Sequence, residues 1–133
     1  MLIRACIAKI HRAVVTQAEL DYVGSITIDE LLLEKAGIRP YQMLHINNLS
    51  NGEHWETYAL AGKRGSGEVC LNGPPARIFH PGDKVIILAI GYLEPDEFKA
   101  LNPVVVFVDG KNKATKIVRH KAVPVGAASA KLA

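Results

Sequence analysis

The stretch YVGSITIDELLLEKAG, Tyr22 to Gly37, carries the clearest structural signals in the chain. Residues 25–28 alternate polar and apolar side chains after a glycine, which is typical of a β-strand. Asp29 is positioned to cap a short helix, and Gly37 stands where a left-handed glycine ends one. The stretch therefore predicts a strand that leads directly into a helix. It leaves open what the Gly24-Ser25 step itself does.

Outward from this stretch, most predicted elements are short strands separated by glycine and proline. Residues 2–16 predict a long strand, and Asn51-Gly52 predicts a hairpin between strands at 43–49 and 54–62. One helical turn is predicted within 95–101. Further strands are predicted at 67–73, 84–92, 103–109 and 115–118. This pattern favours a mainly β protein, a closed or nearly closed barrel with short helices.

Composition indicates one soluble globular domain. The chain has 133 residues, of which 49% are hydrophobic and 22% charged, and no apolar run is long enough to cross a membrane. The two cysteines, Cys6 and Cys70, lie in apolar contexts and are predicted to be free buried thiols. We therefore expect a reducing, cytoplasmic location. Two cysteines and scattered histidines show no metal-ligand spacing along the chain, so no metal site is expected.

The net charge of +3 is unevenly distributed. Residues 111–133 contain six basic residues and no acidic residue, which leaves residues 1–110 with a net charge of −3. Residues 1–118 are predicted to form the single domain, followed by a flexible basic tail at 119–133. Aromatic residues are only 6% and none accompanies the tail charges, so nucleic-acid binding is not expected. A non-catalytic barrel whose tail binds nucleic acid stays open as an alternative.

Six short motifs give the chain its most specific signal. They are KIHRA (Lys9–Ala13), YVGSITID (Tyr22–Asp29), TYA (Thr57–Ala59), RGSG (Arg64–Gly67), NG (Asn72-Gly73) and GDKVII (Gly82–Ile87). In order and spacing they resemble the pyruvoyl-dependent aspartate 1-decarboxylase family. The Gly-Ser dipeptide alone is a weak signal, because it recurs at Gly65-Ser66. The resemblance implies a six-stranded double-psi β-barrel and a homotetramer.

The resemblance also implies a proenzyme that cuts itself between Gly24 and Ser25. In the family the serine hydroxyl attacks the glycine carbonyl, and the ester then eliminates to a dehydroalanine that hydrolyses to a pyruvoyl group. The products here would be chains 1–24 and 25–133, with a covalent pyruvoyl cofactor derived from Ser25 and neither metal nor pyridoxal phosphate. Glycine suits this position because it has no Cβ to block the nucleophile. The amide-to-ester shift needs strain or a stabilised oxyanion.

The implied reaction is the decarboxylation of L-aspartate to β-alanine, a step of pantothenate biosynthesis. The pyruvoyl ketone would form a Schiff base with the substrate amine and accept the electrons released with CO2. Thr57 matches the residue that assists self-cleavage, and Tyr58 matches the proton donor. The implied substrate-binding residues are Lys9, His54, Thr57, Asn72, Gly73, Pro74 and Pro75, while Tyr22 and His11 would shape or support the site. Judged without the resemblance, a strand threonine or tyrosine is more often structural.

Two positions differ from the family pattern. His54 stands where the family usually has an arginine, and histidine is shorter and only partly charged near pH 7. His54 is also four residues from Tyr58, roughly 13 Å along a strand. The hypothesis is that His54 still contacts a substrate carboxylate, and the rival is that Lys9 does so alone. Pro74-Pro75 replaces two alanines of the family, which removes two backbone N–H donors from the substrate loop.

Two further functions stay open. The altered carboxylate position leaves room for another acidic amino acid, such as glutamate, as the substrate. A serine hydrolase with Ser25 or Ser66 as nucleophile is a weaker alternative, because neither serine lies in a G-x-S-x-G motif.

Overall fold

A computed structural model of the protein describes residues 1–132, which form eight strands and two short helices. The strands are β1 (Ile3–Val14), β2 (Ser25–Asp29), β3 (Met43–Asn48), β4 (His54–Gly62), β5 (Val69–Asn72), β6 (Lys84–Leu93), β7 (Val104–Val108) and β8 (Ala114–Arg119). The helices are α1 (Glu30–Ala36) and α2 (Pro95–Lys99), and Pro74–Arg77 form a 3₁₀ turn. The predicted mainly β class with short helices is confirmed. Ala133, the last residue of the predicted segments 25–133 and 119–133, lies outside the described residues.

The strands form one mixed, curled sheet. Their order is β5-β2-β4-β3-β6-β1-β7-β8, with the β2–β4 and β1–β7 pairs parallel and the other pairs antiparallel. Just beyond β1 the chain runs along β5: the Thr16 N–H donates to Val69 O over 2.8 Å, and the Leu71 N–H donates to Gln17 O over 3.0 Å. The segment that follows β1 is therefore hydrogen-bonded to β5, although β5 and β1 are far apart in the strand order of the sheet.

The core lies inside the curl of the sheet. Alternation along β3 illustrates how the sequence selects this face, because Leu44, Ile46 and Asn48 are buried while Met43 points outward. The largest fully buried side chains are apolar and come from β1, β2, β3, β5, β6 and α1 and from the 3₁₀ connection: Phe79, Ile10, Ile26, Ile28, Leu32, Leu44, Ile46, Leu71 and Ile87. β2 lies between β4 and β5 and is buried over most of its length.

Asp29 anchors the end of β2 and the start of α1. Its Oδ1 accepts hydrogen bonds from the N–H groups of Leu31 (2.9 Å) and Gly65 (2.8 Å), and its Oδ2 accepts one from Gly67 (2.8 Å). Burial alone would raise the pKa of this carboxyl, but these three donors, helped by the Lys113 ammonium, hold the pKa below its usual range. The predicted N-cap is therefore confirmed, and the RGSG motif acquires a structural role as the loop that this carboxylate holds.

The glycines predicted to end the helix and to turn the hairpin are also confirmed by the structure. Gly37 ends α1 at φ +71°, and Gly52 occupies the β3–β4 hairpin at φ +77°, both in the left-handed region that favours glycine. Within the described part of the chain, no helix is long and apolar enough to cross a membrane. Residues 120–132 contain neither helix nor strand.

Candidate active site

The Gly24-Ser25 peptide bond joins an exposed segment to a buried strand. Tyr22 and Val23 are 63% and 81% exposed, whereas Ser25, the first residue of β2, is 2% exposed. Ser25 lies opposite Asn72 on the neighbouring antiparallel strand β5. The exposed side chains therefore end abruptly at Gly24, and the Ser25 side chain lies inside the fold.

The backbone of Gly73 lies directly against this peptide. A Cβ at Gly73 would be 2.8 Å from Gly24 Cα and 3.1 Å from Gly24 N, closer than side chains tolerate. Gly73 also has φ +80°. A Cβ at Gly24, in contrast, would meet only Pro74 Cδ at 3.6 Å and Asn72 O at 3.7 Å, which are ordinary contacts. The close approach therefore requires a glycine at position 73, while position 24 has room for a Cβ.

Asn72 fixes the loop that leads to the Gly24-Ser25 bond. Its Oδ1 accepts a hydrogen bond from the Glu19 N–H over 3.0 Å, and the Gly73 N–H donates to Glu19 O over 2.8 Å. Glu19 thus ties the approach segment to the end of β5 through its backbone. No sequence signal marks Glu19, because only its main chain takes part.

The loop at Gly73–Ala76, predicted to contact the substrate, already uses its backbone N–H groups in hydrogen bonds within the protein. Beside the Gly73 N–H, which is bonded to Glu19, the Ala76 N–H donates to Gly73 O over 3.0 Å. Pro74 and Pro75 open the 3₁₀ turn and have no N–H. Pro75 is buried, while Pro74 is exposed and borders Gly24. The loop therefore offers shape and carbonyl oxygens to a ligand rather than N–H groups.

Thr57 and Tyr58 lie on the strand beside β2. The parallel register pairs Ile26 with Ala59, and continuing it backward faces Ser25 with Tyr58 and Gly24 with Thr57. Adjacent strand residues point to opposite faces. The Thr57 side chain lies on the same face of β4 as the core residue Ala59, and the Tyr58 side chain lies on the opposite face. The two side chains therefore approach the Gly24-Ser25 region from different sides.

Lys9 and His11 lie on β1, which does not pair with β2. The Lys9 Nζ donates to Leu132 O over 2.8 Å. The His11 ring stacks edge-on against Phe107 with centroids 5.3 Å apart, and its Nδ1 is buried without a hydrogen-bond partner among the described residues. Burial, with Lys9 and Arg12 nearby, lowers the pKa of His11, so the ring is neutral at pH 7. Contacts within one chain do not bring either residue to Ser25.

His54 is also held away from Ser25, at the start of β4. Its Nδ1 lies 2.7 Å from Asn47 Oδ1, and its Nε2 lies 3.8 Å from Glu56 Oε2. His54 and Tyr58 share the outer face of β4 but are four residues apart, roughly 13 Å. One chain thus brings together Gly24, Ser25, Thr57, Tyr58, Asn72, Gly73 and Pro74 around one peptide bond, and leaves Lys9 and His54 outside this group.

Ser66, the other Gly-Ser serine, has a structural environment. Its Oγ donates to Lys63 O over 2.6 Å and lies 3.2 Å from the Glu68 N–H, which donates to it. These are contacts within one turn. Nothing about them suggests a nucleophile, so the second Gly-Ser dipeptide is explained as part of the loop that Asp29 holds.

Exposed apolar side chains lie near the site, and the sequence patterns singled out only Tyr22 among them. Tyr41 and Met43 are 76% and 55% exposed. The Tyr41 N–H donates to Ala59 O over 2.7 Å, and Met43 is the cross-strand partner of Tyr58. With Tyr22 and Val23 they form a set of four large apolar residues near Ser25. Their chemical type alone could not show that they are exposed.

Comparison with known proteins identifies the family. The aspartate decarboxylase family model matches residues 1–115. An aspartate 1-decarboxylase of Lactiplantibacillus plantarum is 53% identical over 121 residues, covering 91% of this chain and 93% of that protein. One of Caldicellulosiruptor saccharolyticus is 53% identical over 117 residues (88% and 91%), and one of Leptospira biflexa is 48% identical over 120 residues (87% and 99%). The chain belongs to the aspartate decarboxylase family.

Proposed function

We propose that this protein is an aspartate 1-decarboxylase that converts L-aspartate to β-alanine and CO2 and so supplies pantothenate biosynthesis. The observation that carries the proposal is the Gly24-Ser25 bond, with a buried serine on one side and the backbone of Gly73 pressed against the glycine. Family membership and relatives named aspartate 1-decarboxylase support the substrate.

The first step is maturation by self-cleavage. The Ser25 Oγ attacks the Gly24 carbonyl, and the N–H of residue 25 becomes a free amine as the ester forms. Elimination across the serine Cα–Cβ bond releases the carboxylate of Gly24 and leaves dehydroalanine, which takes up water and loses ammonia to give the pyruvoyl group. Thr57, which the β2–β4 register brings level with Gly24, is the donor we assign to the developing oxyanion. Residues 1–24 and 25–133 become separate chains.

The new terminus at residue 25 stays in position because β2 is held without its link to Gly24. β2 pairs with β4 on one side and β5 on the other, and Asp29 fixes its far end. The residues around Ser25 therefore suit a covalent pyruvoyl group, which supplies an electron sink for decarboxylation. This chemistry uses neither a metal ion nor pyridoxal phosphate.

The other site residues bind the substrate and deliver a proton. Tyr58, beside the start of β2, donates the proton that replaces CO2. The Gly73–Pro75 loop encloses the substrate through shape and carbonyl oxygens, and Asn72 keeps that loop in place. Lys9 and His54 provide the cationic contacts for the substrate carboxylates. Substituting His54→Arg should lower KM for aspartate without changing kcat, whereas an unchanged KM would remove His54 from the binding site.

We also propose that the active protein is a homotetramer. Tyr22, Val23, Tyr41 and Met43 form an exposed apolar set near Ser25, which is typical of an interaction surface. Lys9 does not reach Ser25 through contacts of its own chain, so an adjacent subunit is its route to the site. Subunit assembly would then complete the site as well as cover the apolar side chains.

The finer architecture and setting follow the same proposal. The contact of residues 16–17 with β5 supports a closed, six-stranded double-psi barrel made of β1–β6, with β7 and β8 added outside β1. Residues 1–118 would form this single domain and 119–133 a flexible basic tail that does not bind nucleic acid. Cys6 and Cys70 are both free, which supports a reducing, cytoplasmic location.

The decisive experiment is the denatured intact mass of the purified, untagged protein, with and without hydroxylamine as a carbonyl reagent. We expect two fragments divided after Gly24, with the fragment that begins at residue 25 gaining the mass of the reagent. Release of CO2 and β-alanine from aspartate, measured on the same sample and compared with glutamate, would complete the assignment. A single uncut chain after prolonged warm incubation, without aspartate decarboxylation, would overturn it.

A further inference from the structure

Three side chains on the outer face of the β3–β4 hairpin converge at one point. The antiparallel register pairs His45 with Glu56 and Asn47 with His54, so all four side chains share one face. One ring nitrogen of His45, one of His54 and a carboxylate oxygen of Glu56 all lie within 4.8 Å of one another. The two rings are 5.3 Å apart at their centroids.

We propose that His45, His54 and Glu56 bind one divalent transition-metal ion such as Zn²⁺. Two imidazole nitrogens and one carboxylate are a donor set that binds zinc in sites that keep a fourth position open. In a tetrahedral zinc site, neighbouring ligand atoms are about 3.3 Å apart. Here His45 Nε2 is 2.7 Å from Glu56 Oε1, and His54 Nε2 is 3.8 Å from Glu56 Oε2. The first distance is about 0.6 Å shorter than this spacing and the second about 0.5 Å longer, so small side-chain adjustments bring both pairs to it.

Asn47 prepares His54 for this role. Its Oδ1 lies 2.7 Å from His54 Nδ1, so that nitrogen carries the proton and Nε2 keeps its lone pair. Hydrogen bonding of the second ring nitrogen is a general feature of metal-binding histidines, because it fixes the tautomer and the ring orientation. The Nε2 of His54 is also the atom that faces Glu56.

Arg4 is the competitor for this site. Its guanidinium Nη2 is 2.8 Å from His45 Nε2 and 3.9 Å from Glu56 Oε1. His45 Nε2 therefore stands between a cation and a carboxylate, and it can accept from Arg4 or donate to Glu56 but not both. A metal ion would take the lone pair and the carboxylate together and displace Arg4, whose side chain is 53% exposed and has room to turn outward.

The sequence did not indicate His45 and His54 as a pair of ligands, because their proximity arises across the hairpin. His45 and His54 are nine positions apart, which matches no spacing expected of ligands on one helix or strand. The hairpin turn at Asn51-Gly52 creates the cluster by setting the register. When the ion is bound, His54 Nε2 is committed to it and cannot donate to a substrate carboxylate. Metal binding and the proposed carboxylate contact of His54 therefore exclude each other, and the metal site is tested by direct binding rather than by activity.

The test uses untagged mature protein stripped with a chelator and titrated with Zn²⁺ against a chromophoric competing chelator. Co²⁺ then serves as a spectroscopic probe of nitrogen coordination. We expect one ion per chain at micromolar concentration, with His45→Gln and Glu56→Gln each weakening binding more than about tenfold. Arg4→Gln should tighten binding because it removes the competing cation.

The matched control is His80→Gln. His80 is exposed and lies 3.7 Å from the Asp83 carboxylate, so it offers a histidine–carboxylate pair without the third ligand. Its substitution should leave Zn²⁺ binding unchanged, and circular dichroism should establish that every variant folds. Equal Zn²⁺ affinity in the wild type, His45→Gln and Glu56→Gln proteins, or no binding at submillimolar Zn²⁺, would overturn the proposal.

Discussion

Ser25 and Asp29 stand at the two ends of the same five-residue strand and are both polar and almost completely buried. Asp29 is explained by structure, because three backbone N–H groups surround its carboxylate and offset the cost of burying it. Ser25 lies at the other end of β2, where the backbone of Gly73 closely approaches the backbone of Gly24. β2 is thus anchored by hydrogen bonds at its Asp29 end, and the proposed self-cleavage would leave that anchor intact while the Ser25 end loses its covalent connection.

The largest effect should come from removing the nucleophile. In Ser25→Ala the attacking oxygen is gone, so the protein should remain one uncut chain with aspartate decarboxylation at background. Intact mass and β-alanine formation measure this directly. The matched control is Ser66→Ala, which alters the other Gly-Ser dipeptide and should be cut and active. Cleavage of Ser25→Ala at the same bond would refute the assignment.

The next effect tests the glycine contact at the Ser25 end. Gly73→Ala introduces a Cβ 2.8 Å from Gly24 Cα at a residue with φ +80°. The clash must move the peptide by some tenths of an ångström or more, and we expect self-cleavage to slow by about 100-fold. The clash should also destabilise the fold by about 1–3 kcal/mol beyond the conformational penalty. Time-resolved intact mass and chemical denaturation measure the two effects.

Gly37→Ala separates the clash from the backbone penalty. Gly37 has φ +71°, yet a Cβ there would meet nothing within 4 Å. Gly37→Ala should therefore lower the free energy of unfolding by only about 1 kcal/mol, the cost of a left-handed conformation, and leave the cleavage rate unchanged. Equal cleavage rates in both glycine variants would show that the Gly73–Gly24 contact has no part in the chemistry.

The third effect tests the Asp29 end. Asp29→Asn replaces one acceptor oxygen with an amide that faces an N–H group, and we expect the free energy of unfolding to fall by about 3 kcal/mol. The exposed control Asp96→Asn should change it little. Denaturant titration at pH 7 measures both. Because the loss concerns stability, Asp29→Asn should still cut itself at a temperature where it is folded.

The same variant predicts a pH dependence. The pKa of Asp29 is held below its usual range in the folded protein, so its ionisation stabilises the fold above the unfolded value of about 3.9. As the pH falls through the folded pKa, this contribution is lost. The stability difference between the wild type and Asp29→Asn should therefore be constant above about pH 5 and shrink below about pH 4. A difference that grows on acidification would contradict the assignment of this carboxylate.

The contrast between the ends of β2 also marks how far the sequence could predict the structure. The Asp29 N-cap, the helix end at Gly37 and the Asn51-Gly52 hairpin depend on local backbone chemistry, so the residue types at these positions predict them. The core face of β3 follows from strict alternation. The contacts of the Glu19 backbone with Asn72 and Gly73 depend on which segments become neighbours, and the His45–His54 cluster depends on the exact register of the predicted hairpin. Residue types do not encode these contacts locally, and the family resemblance supplied the expected fold and the identities of the site residues but not the contacts themselves.

The smallest expected effect concerns the Gly73–Pro75 loop, which borders the Gly24-Ser25 bond. Pro74 and Pro75 begin the 3₁₀ turn, where the first N–H groups have no partner within the turn. Changing both to alanine adds two donors beside Gly24, so KM for aspartate should fall a few-fold if this loop contacts a substrate carboxylate. The freer unfolded chain should cost about 0.5–1 kcal/mol of stability per proline. Pro103→Ala is the control, because it carries the same unfolded-state effect in a loop before β7 and should leave KM unchanged. An unchanged KM in the double variant would make the loop structural, and the Ser25 end of β2 would then recognise its substrate through other residues.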